Sequence, residues 1–279
     1  MPDRGAARAT ARSRIDAPDA DVLLAHVLGV EREALYAHPE VALTPDELGR
    51  FEALVERRAR GEPVAYLRGF KEFYGLRLAV DPRVLIPRPE TETLVEAVLA
   101  AVRNTPDALV VDVGTGSGAV AIALAVNAPA LRVIATDVSS DALVVARANA
   151  RTHDAAERID FRVGDLLAPI TERVDALAAN LPYLRDDDLH ELVGDRTSLA
   201  YEPALAVVAG PDGLSLIERA IAGLDRVLKP GASAFFECDP AQARALAREH
   251  GGTILRDLAG NERVVVISAG ARGAPTASG

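Results

Sequence analysis

Hydrophobic residues recur at helical spacing near the start of the chain. One short amphipathic face is formed by Val22, Leu23, Leu24, Val27 and Leu28. A second helix is predicted to begin at Thr44, with Pro45 at its first position and Glu47 completing a capping box. The pattern therefore predicts a small all-helical domain over residues 16–70.

The pattern changes after this helical region. Residues 72–80 alternate between apolar and polar as a strand or hairpin does, with Gly75 at the turn. A proline-rich segment from Pro82 to Pro89 follows, and helical spacing resumes over residues 91–102. We therefore predict a hairpin linker over residues 71–90, ahead of a second domain over residues 91–269.

Short apolar runs alternate with helical segments through the second domain. Candidate strands are Leu109–Val113, Arg132–Thr136, Ile159–Val163, Ala176–Ala179, Ser233–Glu237 and Val264–Ile267. Candidate helices are Ser117–Asn127, Ser140–Arg151, Gly213–Leu228 and Ala241–His250. Buried strands that alternate with helices predict an α/β fold, in which a mostly parallel sheet is covered on both faces.

Both ends of the chain are predicted to be disordered. Residues 1–15 carry arginines at about every fourth position, which is typical of a frayed basic tail, with an organelle transit peptide as the alternative. Residues 270–279 are small and polar.

Composition narrows the class of protein. The 279 residues are 49% hydrophobic and carry a net charge of −10, and this acidic balance argues against direct nucleic-acid binding. Cys238 is the only cysteine, so an internal disulfide is excluded and a cytoplasmic, reducing location is expected. We find no apolar run of membrane-spanning length, and therefore expect no membrane segment.

A glycine-rich turn follows the first predicted strand of the second domain. It consists of Gly114, Thr115, Gly116, Ser117 and Gly118. Glycines at such a turn let the backbone approach a ligand, and Asp137 at the end of the next strand can accept hydrogen bonds from ribose hydroxyls. The spacing favours S-adenosylmethionine over a dinucleotide. After the third strand, Asp165 and Leu166 are candidates to contact adenine.

A polar loop follows the fourth predicted strand, where Asn180, Leu181, Pro182 and Tyr183 border the expected ligand crevice. An amide nitrogen is a poor nucleophile because its lone pair is delocalised. Two acceptors, the Asn180 side-chain oxygen and the carbonyl of residue 181, can hold both hydrogens of a planar –NH2 group. Tyr183 can cover the flat amide, and Pro182 restricts the geometry of its neighbour. The loop predicts methyl transfer to a planar amino or amide group.

Three segments together resemble the HemK/PrmC family of release-factor glutamine methyltransferases. They are Leu85–Glu92 (Leu-Ile-Pro-Arg-Pro-Glu-Thr-Glu), the run from Asp112 to the end of the glycine turn, and Asn180–Tyr183 (Asn-Leu-Pro-Tyr). Further similarity lies in Tyr201–Leu205 and Gly260–Val264. The Pro-Arg-Pro-Glu-Thr-Glu run is the most specific of these motifs.

The resemblance implies a seven-stranded Rossmann-like methyltransferase sheet with a small N-terminal helical domain that helps to dock the substrate. It implies S-adenosylmethionine at the glycine turn, Asp137, Leu166 and Asn180. It implies that Asn180 to Tyr183 hold the glutamine of the Gly-Gly-Gln loop of a class I release factor, and we add Arg88 as a substrate-binding candidate. Two positions depart from the family: Leu181 replaces a usual proline, and Leu166 a usual aromatic residue.

Two other functions stay open at this point. Adenine also presents a planar –NH2 group, so an adenine amino-methyltransferase acting on DNA or RNA is an alternative. A non-catalytic S-adenosylmethionine-binding module is another. No metal site is predicted, because the acidic run Asp186–Asp188 with His190 is more typical of a solvated helix start than of a ligand set.

Overall fold

The computed structural model describes residues 1–185, 197–210 and 213–270. The predicted tail beyond Gly270 and the acidic run Asp186–Asp188 with His190 lie outside the described residues. The chain divides into two compact units. The first comprises Met1–Phe70 with a short segment ending at Tyr201, and the second holds the rest.

The first unit is helical. Its helices are α1 (Arg4–Ala11), α2 (Ala17–Leu28), α3 (Arg32–Ala37), α4 (Pro45–Ala59) and α5 (Val64–Arg68). Helix α4 begins as its sequence predicts, with the Thr44 hydroxyl capping the Glu47 N–H and the Glu47 carboxylate accepting from the Thr44 N–H at 2.7 Å. The apolar faces enclose a core that includes Leu23, Leu24 and Phe51. The Tyr201 hydroxyl donates to the Arg60 carbonyl at 3.0 Å within this unit.

Helix α1 corrects the prediction that residues 1–15 are disordered. Arg8 is buried, and its guanidinium donates to both carboxylate oxygens of Asp21 at 2.8 and 3.2 Å. Arg12, one helical turn further on, donates to the same carboxylate at 3.0 Å. The arginine spacing that suggested a loose tail therefore places two guanidinium groups on one helix face toward a buried acid.

The second unit contains the predicted α/β sheet, and its seven strands confirm the fold class. The strands are β3 (Leu109–Val113), β4 (Arg132–Asp137), β5 (Ile159–Val163), β6 (Val174–Ala179), β7 (Leu228–Glu237), β8 (Thr253–Arg256) and β9 (Glu262–Ser268). Their order is β5-β4-β3-β6-β7-β9-β8, and β9 runs antiparallel to the other six strands. Strand β8 was not predicted, because none of its residues is fully buried.

Helices cover both faces of this sheet. They are α6 (Glu92–Val102), α7 (Ala119–Asn127), α8 (Ser140–Thr152), α9 (Ser215–Ala222), α10 (Leu224–Val227) and α11 (Pro240–His250). The predicted helix over residues 213–228 is wrong in part, because it breaks at Gly223 and Leu228 already starts β7. No described helix is long and apolar enough to cross a membrane.

The predicted hairpin is present as β1 (Phe70–Phe73) and β2 (Leu76–Ala79), with Gly75 in the left-handed region at φ 75°. Phe73 and Leu78 join the core of the second unit. The Asn149 side chain on α8 bonds both the N–H and the carbonyl of Ala79, at 2.7 and 3.0 Å. The hairpin is therefore packed into the second unit and is not an independent linker.

Candidate active site

The glycine turn leaves β3 and enters α7 through three residues in the left-handed region. Gly114, Gly116 and Gly118 have φ angles of 74°, 54° and 84°. A Cβ on Gly114 would lie 3.0 Å from Leu181 Cδ2, and one on Gly118 would lie 2.9 Å from Ile122 Cδ1. Gly114 therefore allows close approach to the loop after β6, whereas Gly118 serves helix packing.

Asp137 at the end of β4 braces this turn. Its two carboxylate oxygens accept from the N–H groups of Gly116 and Ser139, each at 2.9 Å. Burial raises the pKa of Asp137, while these N–H groups oppose the rise. Each carboxylate oxygen retains a lone pair that can accept a ligand hydroxyl.

Asp112 is a buried acid that the sequence analysis did not select. Its carboxylate accepts from the Thr115 hydroxyl at 2.6 Å and from the Ala121 N–H at 3.1 Å. Burial raises its pKa to about 6, against these two hydrogen bonds. The acid therefore ties the glycine turn to the first turn of α7.

The Asn180 side chain follows β6 and is held by a hydrogen bond to Thr91, just before α6. Asn180 Nδ2 donates to Thr91 Oγ1 at 3.0 Å, which leaves Asn180 Oδ1 as the acceptor of this amide. Leu181 is buried, and the Tyr183 carbonyl accepts from Gln242 Nε2 at 2.9 Å. Burial raises the pKa of Tyr183 to about 12, so its phenol stays neutral.

A cleft opens at the carboxyl ends of β3, β4 and β6. Of the predicted residues, it is lined by Gly114, Gly116, Asp137, Asp165, Leu166, Asn180, Leu181 and Pro182. An adjoining cavity is lined by Arg88, Thr91, Thr115, Ser117 and again Asn180. Gly118 and Tyr183 line neither of these two cavities of the described chain.

The apolar wall of the cleft includes residues that sequence reasoning passed over. Pro203 and Leu205 lie in the Tyr201–Leu205 segment, and Leu205 is 76% exposed while lining the cleft. Glu202, next to them, accepts from the Ile86 N–H at 2.9 Å and pairs with the Arg88 guanidinium. The predicted substrate-binding Arg88 is thus engaged by Glu202, and the family-like segment was the signal that could have revealed this contact.

The adenine candidates have unequal geometry. Leu166 lines the cleft with φ 47°, a left-handed conformation that is strained for a side-chain-bearing residue. Asp165 lines the cleft too, but its carboxylate pairs with the Arg219 guanidinium. Part of the hydrogen-bonding capacity of Asp165 is therefore used by Arg219 on α9, and only the rest is available to adenine.

Comparison with known proteins identifies the family. Residues 4–69 match the PrmC N-terminal domain, and residues 90–202 match the methyltransferase small domain. A release factor glutamine methyltransferase of Moorella thermoacetica is 41% identical over 268 residues, covering 92% of this chain and 94% of its own. The chain belongs to the release factor glutamine methyltransferase family.

A second member of the release factor glutamine methyltransferase family, from Xylella fastidiosa strain 9a5c, is 42% identical over 232 residues and covers 83% of each chain. The similar solved structures support the fold. The hMettl16 catalytic domain, solved with a 3′UTR hairpin, has a TM-score of 0.55 at 18% identity and covers 82% of this chain and 84% of its own. A T. thermophilus 16S rRNA methyltransferase, solved with AdoMet and guanosine, has a TM-score of 0.51 at 16% identity, covering 72% of this chain and 49% of its own.

Proposed function

We propose that this chain transfers a methyl group from S-adenosylmethionine to the side-chain amide nitrogen of the glutamine in the Gly-Gly-Gln motif of class I release factors. The observation that carries the proposal is the orientation of Asn180. Its amide nitrogen is engaged by Thr91, so its oxygen is the atom available to a substrate –NH2 group at the cleft. The helical unit docks the release factor, and the protein acts in the cytoplasm, where translation occurs.

The residues of the cleft fit S-adenosylmethionine. Asp137 offers carboxylate lone pairs for ribose hydroxyls, and Val113, Val138 and Leu166 offer apolar surface for adenine. A side chain at Gly114 would crowd the space beside Leu181, which a ligand there needs. When bound, S-adenosylmethionine supplies an electrophilic methyl group on its sulfonium.

The Asn180 loop then orients the nucleophile. Asn180 Oδ1 and the Leu181 carbonyl accept the two amide hydrogens, which aims the nitrogen lone pair out of the plane of the substrate amide. Leucine retains the backbone carbonyl that this role needs, so the departure from proline at position 181 does not remove it. Orientation of this kind can supply up to about 7–11 kcal/mol of a barrier in favourable cases.

The test is methyl transfer to a purified release factor, with mass spectrometry of the Gly-Gly-Gln peptide. Asn180→Ala is expected to keep the fold and cofactor binding but to lose at least about 10²-fold in kcat, by analogy with the loss of one preorganised polar group. Asn127→Ala, the same change at the end of α7 and outside the cleft lining, is the matched control with near wild-type turnover. An unchanged rate in Asn180→Ala would remove this side chain from the mechanism.

The adenine amino-methyltransferase alternative shares the planar –NH2 chemistry. The net charge of −10 weighs against it, because phosphate backbones are bound mainly by basic surfaces. Labelled cofactor offered with release factor or with nucleic acid distinguishes the two. Label in nucleic acid alone would replace our proposal, and cofactor binding without turnover on either would indicate a binding module.

A further inference from the structure

Three segments of the second unit meet just after the amide clamp, by which we mean the Asn180 side-chain oxygen and the Leu181 carbonyl. Gln242, in the first turn of α11, donates from Nε2 to the Tyr183 carbonyl at 2.9 Å and to the Gly213 carbonyl at 3.3 Å. Gly213 is buried, and a Cβ there would overlap the Tyr183 oxygen and lie 2.7 Å from Gln242 Nε2. The glycine therefore leaves the space in which this hydrogen bond forms.

The carboxamide of Gln242 has both of its ends matched to backbone partners. Its –NH2 group has two hydrogens and meets two carbonyl oxygens. Its Oε1 accepts from the Asp239 N–H at 3.3 Å, which completes the capping box of α11. The reversed orientation would aim Oε1 at the two carbonyls and the –NH2 group at an N–H donor, so the observed orientation is the one that satisfies every partner.

A capping box by itself accepts either glutamate or glutamine at this position of a helix. Helix α4 uses Glu47, whose carboxylate accepts from the Thr44 N–H at 2.7 Å and has no hydrogen to donate. Helix α11 carries Gln242 instead, and only an amide can cap the helix with its oxygen while its nitrogen donates to two carbonyls. The residue type therefore serves the loop after β6 as well as the helix.

The same hydrogen bond fixes one peptide group of this loop. The peptide between Tyr183 and Leu184 has its carbonyl bonded to Gln242 and its N–H bonded to the Val207 carbonyl at 3.2 Å. A trans peptide is planar, so bonds to both of its polar groups determine the orientation of the whole plane. The loop after β6 is thus anchored directly beyond the clamp.

The anchored carbonyl lies two residues after Leu181, whose own carbonyl is the second acceptor of the clamp. Pro182 between them has a fixed φ and restricts Leu181 to extended geometry, so few dihedral angles separate the anchor from the acceptor. We propose that Gln242 is a positioning residue for methyl transfer, which aims the Leu181 carbonyl at the substrate amide by holding the Tyr183 carbonyl. The inference rests on the proposed function. Gln242 lines neither of the two cavities described above, so it acts through the loop.

The first experiment is Gln242→Glu, which keeps the volume and the capping oxygen but has no hydrogen for the Tyr183 and Gly213 carbonyls. With release factor as the substrate, kcat should fall about tenfold, as for one lost hydrogen bond, while KM for the cofactor stays unchanged. Gln242→Met, neutral and of similar length, should show the same fall, which excludes the added charge as the cause. Glu47→Gln, the reverse exchange in the capping box of α4, is the control and should keep the wild-type kcat.

Combination with Asn180→Ala separates positioning from a general loosening of the fold. The two acceptors of the clamp act as a unit on one amide, so the second is worth less once the first is gone. Gln242→Glu should therefore lower kcat by about threefold or less in the Asn180→Ala background. Independent effects would multiply and give the same factor in both backgrounds. That equal factor, or a wild-type kcat in Gln242→Glu or Gln242→Met, would overturn the proposal.

Hydrogen exchange of the Leu184 N–H, followed by NMR, makes the anchor measurable without turnover. This N–H is bonded to the Val207 carbonyl, and release of the Tyr183 carbonyl loosens the peptide that carries it. Its exchange should become about tenfold faster in Gln242→Glu and stay at the wild-type rate in Glu47→Gln. Unchanged exchange in Gln242→Glu would refute the anchor even in a variant with lowered kcat. Faster exchange in the variant of a protein whose wild type is inactive on release factors would instead refute the proposed function alone.

Discussion

Asp21 in the helical unit and Glu237 in the methyltransferase unit are buried carboxylates with opposite surroundings. Both are 1% exposed, so burial does not distinguish them. Burial alone would raise the pKa of Asp21, but hydrogen bonds from Arg8, Tyr36 and Arg12 outweigh it and hold the pKa below its usual value. Glu237 Oε2 has no hydrogen-bond partner among the described residues, and burial raises the pKa of Glu237 to about 7.

The two surroundings have different consequences. The charge of Asp21 stabilises the fold, whereas the protonation of Glu237 can change with pH. A carboxylate with three donors stays ionised at any physiological pH, so its charge is a constant of the structure. Ionisation of a buried carboxyl group that has an unpartnered oxygen lowers the stability of the fold, so its protonation responds to pH. Three perturbations test this contrast.

Removal of Asp21, whose carboxylate accepts from Arg8, Tyr36 and Arg12, should have the largest effect on stability. Asp21→Ala leaves the buried Arg8 guanidinium without its partner, so the free energy of unfolding should fall by about 3–5 kcal/mol. Urea unfolding at pH 7 measures it. Glu56→Ala, in an exposed pair with Arg60, is the control and should cost about 0.3–0.5 kcal/mol. Equal losses in the two variants would mean that the Asp21 network is no more than a surface pair.

The same contrast explains what the sequence predicts and what it does not. The glycine turn and Asp137 were predictable because all of their partners are local. The N–H groups that bind the Asp137 carboxylate belong to Gly116 and Ser139, which lie close in sequence to the ends of β3 and β4. Helix α1 was missed because the burial of Arg8 depends on Asp21, thirteen residues away. Hydropathy patterns report which face is apolar, and carry no information on which distant polar groups meet.

The Asn180 loop shows the same limit inside one site. Its residue types indicated amide chemistry, whereas the orientation of the carboxamide depends on Thr91, which is 89 residues away in the sequence. Thr91 lay in the most specific family-like segment, yet nothing local identified its partner. Glu237 was included only as the last residue of a predicted strand, since a single acid there has no periodic signal.

The second perturbation tests the sign of the pH dependence of stability. The folded chain keeps the Glu237 proton up to about pH 7, while the unfolded chain releases it near its ordinary value of 4.5. The unfolded state therefore binds fewer protons in this window, so stability falls as pH rises through it. The wild type should lose on the order of 3 kcal/mol of unfolding free energy between pH 4.5 and 8 through this ionisation, and Glu237→Gln should not show that loss.

Urea unfolding of the wild type and Glu237→Gln at pH 4.5, 6 and 8 measures this change. Asp112, with a raised pKa of about 6, should leave a smaller decline in the variant. The Asp21 network has the opposite sign, because its lowered pKa confers stability that is lost as pH falls. Parallel pH profiles for wild type and Glu237→Gln would show that this acid is ionised throughout, as Asp21 is.

The smallest effect on stability is expected from removing one of the three donors to Asp21. The Tyr36 hydroxyl donates to Asp21, and the ring carries the Arg8 guanidinium at 4.0 Å from its centre. Tyr36→Phe keeps the ring and removes only the hydroxyl, while Arg8 and Arg12 still satisfy the carboxylate. Because the Tyr36 side chain is 57% exposed, the loss should be about 1 kcal/mol in urea unfolding. A loss as large as that of Asp21→Ala would mean that the three donors act as one indivisible unit, and the distinction from Glu237, whose Oε2 has no partner among the described residues, would then rest on cooperativity instead of donor number.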